Sequence, residues 1–140
     1  MNALVPSGPR YLLDTNIVSA LVRDPQGAAA QRASAHEQTE LCTSIVVAAE
    51  LRFGTERRGS ARLTRQVEAV LTALPVLPLE PPADGHYGRL RHTLEAAGQV
   101  IGANDMLIAA HALALGCVLV ADHVRAFSRV PGMVVENWLR

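Results

Sequence analysis

The chain contains no lysine: all thirteen of its basic side chains are arginine. That absence excludes chemistry that depends on an amine, including a Walker-type phosphate loop, a Schiff-base enzyme and a Ser-Lys hydrolase. Cysteine is nearly as scarce. Cys42 and Cys117 stand far apart, and neither belongs to a CxxC pair or to a Cys/His group of zinc spacing. Both are expected to be small apolar core residues of a chain in a reducing, cytoplasmic setting. An excess of charge is missing too, because thirteen acids balance the arginines. No global field draws the chain to nucleic acid or membrane, so any such site must be local. There is no long apolar run. The stretch from Met106 to Ala121 is interrupted by His111 and Gly116, and falls short of the ~20 residues that span a bilayer. Met1 to Arg10 has no apolar segment of signal-peptide type.

What is present reads as one domain over 1–140, with an irregular tail over 1–9. A short apolar run, Tyr11 to Leu13, stops at Asp14 and predicts a strand. Helices are predicted over Asn16 to Arg23 and Gly27 to Gln38, either side of Pro25, and a second strand over Leu41 to Thr43. Ser44 is placed to cap a helix over Ile45 to Arg58. Gly59 and Ser60 then separate it from a further helix that ends before Pro75, giving a helical hairpin. Val76 to Leu79 reads as a strand. Pro81 and Pro82 open a helix to about Ala97, and Asp105 to Leu115 forms another that ends at Gly116. Val118 to Ala121 is apolar without alternation, as in a central strand covered on both faces, and Met133 to Val135 would add a peripheral one. Strands alternating with helices predict an α/β/α sandwich around a mainly parallel sheet.

Four acids stand where apolar residues would be expected. The helical neighbours of Glu50 are Val46, Val47, Phe53 and Gly54, and those of Asp105 are Ile101, Ile108 and Ala109. Asp14 and Asp122 each directly follow an apolar strand, and in open α/β sheets the crevice for ligands lies beyond such strand ends. Taken singly, each acid has an ordinary role as a helix cap, a turn residue or the partner of an arginine. Four carboxylates meeting in one crevice repel one another unless a cation or protons intervene. A pocket of oxygen ligands without cysteine suits Mg²⁺, or Mn²⁺, better than zinc.

Three segments, Leu12-Leu13-Asp14-Thr15-Asn16, Ala49-Glu50-Leu51-Arg52-Phe53-Gly54 and Gly102-Ala103-Asn104-Asp105 through Ile108-Ala109-Ala110-His111-Ala112-Leu113, occur in that order and are followed by Phe127. Together they resemble the PIN-domain VapC toxins of bacterial toxin–antitoxin systems, and the resemblance covers nearly the whole chain. It implies a Mg²⁺-dependent endoribonuclease that cuts RNA, often tRNA, a VapB-like antitoxin that blocks the cleft, and a homodimer. By the same resemblance Asp14, Glu50 and Asp105 are acidic metal-site residues, with Thr15, Asn16 and Ser44 as supporting polar positions. The fourth position departs from the family pattern: Ala121-Asp122-His123 stands where Thr-Asn-Asn or Thr-Asn-Asp is usual. Asp122 is the expected fourth acid, and His123 the alternative that would position water or touch substrate.

Five arginines, at 52, 57, 58, 62 and 65, make the hairpin locally basic, and between Arg52 and Arg65 Glu56 is the only acid. They read either as a solvated face, helped by an Arg52 to Glu56 pair, or as RNA or antitoxin contacts, for which Arg52, Arg57, Arg58 and Arg62 are the candidates. His111 is expected to pack in the core or at an interface. Two rival functions stand beside the nuclease. A receiver-like Mg²⁺-binding signalling module requires a lysine that this chain lacks, whereas a catalytically idle interaction protein of the same fold is compatible with the neutral charge and the altered fourth motif.

Overall fold

The computed structural model describes residues 8–140. The expected irregular tail therefore falls outside the described residues up to Ser7. Among the described residues five strands form one sheet: β1 (Tyr11–Leu13), β2 (Leu41–Ser44), β3 (Val76–Leu77), β4 (Val118–Val120) and β5 (Val135–Glu136). Their order is β3-β2-β1-β4-β5 and every pairing is parallel. The sheet is thus wholly parallel, and its middle strand is β1. β4 lies beside β1 rather than at the centre, although it is interior as its unbroken apolar sequence requires.

Among the described residues seven α-helices flank the sheet: α1 (Thr15–Arg23), α2 (Ala28–Ser34), α3 (Ile45–Arg58), α4 (Ala61–Ala73), α5 (Ala83–Ala96), α6 (Ala103–Leu115) and α7 (Val124–Phe127). The chain steps outward from β1 through β2 to β3, then crosses back to β4 on the other side of β1. Right-handed crossovers send α1 to α4 to one face of such a sheet and the later helices to the other, so the α/β/α sandwich follows from strand order. The reversal of direction creates a crevice where β1 and β4 end.

Local signals set most boundaries. Ser44 Oγ accepts the Val46 N–H at 3.0 Å and starts α3, and Ser60 Oγ accepts the Leu63 N–H at 3.1 Å and starts α4. Gly116 closes α6 in the left-handed region at φ +69°, where a side chain would be strained. Several predicted spans shift: β3 ends at Leu77 rather than Leu79, and α6 begins at Ala103 rather than Asp105. α2 ends at Ser34 rather than Gln38, because Glu37 and Glu40 cap a separate turn of 3-10 helix over Gln38–Glu40. α5 begins after the Pro81-Pro82 pair instead of on it. β5 lies at Val135–Glu136, beginning two residues and ending one residue later than the predicted Met133 to Val135.

The core gathers Leu12, Leu13, Ile17, Val47, Ile108, Leu119, Val120 and Phe127, all fully buried. Burial of apolar side chains at about 25 cal/mol per Å² is the main force behind it. Cys42 and Cys117 are buried free thiols, as expected. Trp138 is buried against Tyr11 and lies parallel to the His36 ring, 5.3 Å between centroids, which pins the segment after β5 to the body of the domain. Among the described residues no helix is long and apolar enough to cross a membrane.

Candidate active site

β1 delivers its chain directly into the crevice. The Asp14 N–H donates to the Val120 carbonyl at 2.9 Å, extending the β1–β4 ladder by one residue, and the Asp14 carbonyl accepts from Ile17 and Val18 to open α1. The residue is therefore locked between a strand and a helix, and only 3% of its surface is exposed. Oδ1 of this carboxylate is buried and has no hydrogen-bond partner among the described residues. A buried, unpartnered carboxylate oxygen is expensive to keep ionised. Burial pushes the Asp14 pKa up from 3.8 to about 6, against the opposing pull of the Thr15 backbone N–H, and the charges of Asp105 and Glu50 push the same way as burial. His123 acts in the opposite sense.

Glu50 projects from the second turn of α3 and is held at both oxygens. Thr15 Oγ1 donates to Oε1 at 2.5 Å, and Asn104 Nδ2 donates to Oε2 at 3.3 Å. Asp105, in the first turn of α6, is half-buried, and its pKa is raised by burial and by Glu50, with His123 opposing. Thus Asp14, Glu50 and Asp105 come from three separate elements into one electrostatic neighbourhood. His123, exposed just after β4, joins them, and Asn16 Nδ2 lies 3.1 Å from its Nε2.

Asp122 does not join the three. Its Oδ1 accepts from Asn137 Nδ2 at 3.1 Å and stands 3.6 Å from an Arg140 nitrogen, so it faces the C-terminal segment. The residue at the fourth position that faces the other acids is His123. The physical reason lies in β5: its pairing with β4 and the anchoring of Trp138 carry Asn137 to the Asp122 carboxylate, which thereby acquires partners that Asp14 lacks.

Ser44 supports the site from beneath. Besides capping α3, its hydroxyl lies 2.8 Å from Nδ1 of His111, a buried histidine whose pKa is lowered by that burial. His111 is therefore a packed residue that fixes the start of the helix carrying Glu50. Thr43 does comparable work, donating from Oγ1 to the Leu13 carbonyl at 2.7 Å just before Asp14. Neither Thr43 nor Asn104 stood out in the sequence. Asn104 had a signal in its position next to Asp105, but an asparagine at a helix start reads as a cap.

The expected Arg52 to Glu56 pair is replaced by an ion pair between Arg52 and Glu68, which ties α3 to α4 across the hairpin. Arg57, Arg58 and Arg62 make no ion pair among the described residues. Phe53, predicted on the apolar face beside Glu50, is 65% exposed.

The donor set suits a hard divalent cation: carboxylate oxygens, one of them buried and unpartnered, with no thiol nearby. Among the described residues no three acidic, histidine or cysteine side chains stand close enough to enclose an ion by themselves.

A family profile for the PIN domain matches residues 11–133. Ribonuclease VapC2 of Haemophilus influenzae is 34% identical over 131 residues, which cover 93% of this chain and 98% of that protein. The tRNA(fMet)-specific endonuclease VapC of Shigella flexneri is 30% identical over 130 residues, covering 92% and 98%. Among solved structures, that of VapBC2 from Rickettsia felis bound to a DNA fragment from their promoter superimposes with a TM-score of 0.84 at 30% identity, covering 91% of this chain and 98% of that one.

Proposed function

The chain belongs to the PIN-domain family as a VapC-type member, and on that premise we propose that it is a divalent-metal-dependent endoribonuclease, the toxin of a toxin–antitoxin pair. The observation that carries the reading is the buried Asp14 carboxylate, with Oδ1 unpartnered and Glu50 and Asp105 acting on it electrostatically. Such a group is costly by itself and favourable once a cation is present.

Asp14 and Asp105 would hold the ion, Mg²⁺ in preference and Mn²⁺ as a substitute. When bound, it would neutralise charge on the attacked phosphate and strengthen water as a nucleophile. Glu50, fixed at one oxygen by Thr15 and at the other by Asn104, keeps its charge aligned with the two aspartates and can orient the attacking water. His123, beside the acids and open to solvent, is placed to contact the substrate phosphate. RNA is the substrate class under this reading, with tRNA favoured by the Shigella flexneri relative. The partner is a VapB-like antitoxin, in keeping with the VapBC2 complex of Rickettsia felis; under this reading it covers the crevice and inserts an arginine among the carboxylates, where its charge replaces that of the ion. A homodimer in the cytoplasm completes the reading.

The test is cleavage of mixed RNA with Mg²⁺, with and without excess chelator, by the parent chain and by Asp14→Asn. Cleavage by the parent should stop in chelator, and the variant should be inactive while melting as a folded protein. Undiminished cleavage in chelator, or full activity of Asp14→Asn, would overturn the mechanism.

A further inference from the structure

A groove of about 770 Å³ runs between α1 and the α3–α4 hairpin. Its lining begins at Thr15 and Glu50, so it opens from the carboxylate pocket itself, and it continues past Arg23, Arg57, Arg58 and Arg62. Among the described residues Glu50 is the only carboxylate in that lining. All four arginines are exposed, and none has an acidic partner within ion-pair distance among the described residues. The chain as a whole is neutral, and its other arginines are often paired, as Arg10, Arg32, Arg52, Arg91 and Arg140 are. Positive charge is thus concentrated and left unsatisfied along one path.

The geometry points to this groove as the track for the sugar-phosphate backbone of single-stranded RNA leading to or from the cleavage pocket, with Arg23, Arg57, Arg58 and Arg62 as its phosphate contacts. The assignment rests on the proposed reading of the pocket as an RNA-cleaving centre. A strand whose phosphodiester reaches Glu50 must continue over adjoining surface, and the groove is the adjoining surface with a volume to hold chain. Unpaired guanidinium groups recognise successive phosphates by charge and by paired N–H donors. A second observation agrees: Phe53, on α3 one turn before Arg57, is 65% exposed, and the Arg57 guanidinium lies 5.3 Å from its ring centroid. An exposed aromatic ring beside arginines is a platform on which a base can stack, which single strands offer and duplexes do not. Arg52 is excluded from the track because Glu68 holds it. Arg23 belongs to it although it sits on α1, far along the chain from the hairpin.

The probe is a fluorescent uridine homopolymer RNA, titrated in chelator, so that binding is read without cleavage, at a series of salt concentrations. Replacing Arg23, Arg57, Arg58 and Arg62 together by alanine should weaken binding at low salt by about tenfold or more. It should also shallow the slope of log affinity against log salt by about 0.7 for each phosphate left without its arginine. Lysine at the same four positions should retain most of the slope, which separates the removal of charge from a damaged fold. An unchanged slope in the alanine variant, or no binding by the parent at low salt, would overturn the track. If the alanine substitutions instead abolish binding of an acidic peptide and spare the RNA, the groove belongs to a protein partner and the track is overturned. Metal-dependent cleavage is scored separately: binding along the groove without cleavage removes only the reading of the pocket, and cleavage with an unchanged slope removes only the groove.

Discussion

β1 and β4 lie side by side with Leu13 level with Val120, and each runs from buried apolar residues towards an aspartate, Asp14 after β1 and Asp122 beyond Ala121 after β4. By sequence the two ends are close equivalents. In the structure they hold opposite kinds of carboxylate. Asp14 is buried with an oxygen unpartnered, and its neighbours Asp105 and Glu50 repel it. Asp122 is half-buried and shared between Asn137 and Arg140. The difference teaches that following an apolar strand does not set the state of an acid: what decides is whether a cation or amide donor reaches it. β5 and the segment after it supply such donors to Asp122, and no described element does so for Asp14 Oδ1.

The largest expected contrast is in catalysis. Asp14→Asn should lower the rate of RNA cleavage by on the order of a thousandfold, the scale of several kcal/mol of transition-state stabilisation at a metal-assisted centre, while Asp122→Asn leaves it nearly unchanged. Equal losses in the two variants, measured under single-turnover conditions, would erase the distinction between the strand ends.

Stability in chelator should separate them next. The folded-state pKa of Asp14 is about 6 against 3.8 for an ordinary aspartate, so the folded state binds its proton more tightly than the unfolded state. The resulting stability is fully present below pH 3.8 and is lost as pH rises through about 6, a swing on the order of 3 kcal/mol. Asp105, raised in the same direction, adds to it. Asp14→Asn should flatten this part of the pH profile and melt above the parent at neutral pH without metal, and Mg²⁺ should then raise the parent more than the variant. Asp122→Asn should leave the slope intact. Thermal melts across this pH window decide the matter, and a parent profile with no decline through pH 6 would contradict the burial argument.

Smaller effects test the supports. Thr15→Val removes the donor to Glu50 Oε1 and should reduce turnover by about tenfold with little change in melting temperature, as for other groups that orient a functional carboxylate. Unchanged turnover would mean that Asn104 alone suffices to hold Glu50. Asp122→Ala should cost about 1 kcal/mol through removal of the Asn137 hydrogen bond, and should increase amide exchange in the segment after β5 without affecting exchange near Asp14. A fall in protection at both strand ends would indicate that the two are one cooperative unit.

Much of this could be read along the chain because it depends on near neighbours. The caps Ser44 and Ser60 act two and three residues ahead, Gly116 ends α6 through its own backbone, and the apolar runs of β1 and β4 suit strands covered on both faces. Asp14, Glu50 and Asp105 were legible because each interrupts an apolar pattern, and their order and surroundings match one family. The sequence by itself therefore determined the alternation of elements, the parallel sheet and the three acids that the fold brings near one another. The tertiary structure alone decided which acids remain unpartnered, since that depends on contacts such as Asn137 to Asp122 and Asn104 to Glu50 across many residues. It also decided that Arg52 meets Glu68 instead of Glu56, and that Arg23 from α1 lines the same groove as Arg57, Arg58 and Arg62. The physical reason is common to all of these: hydrogen bonds and charge pairs act over a few ångströms of space, and strand order, not position in the chain, sets which side chains come within that reach.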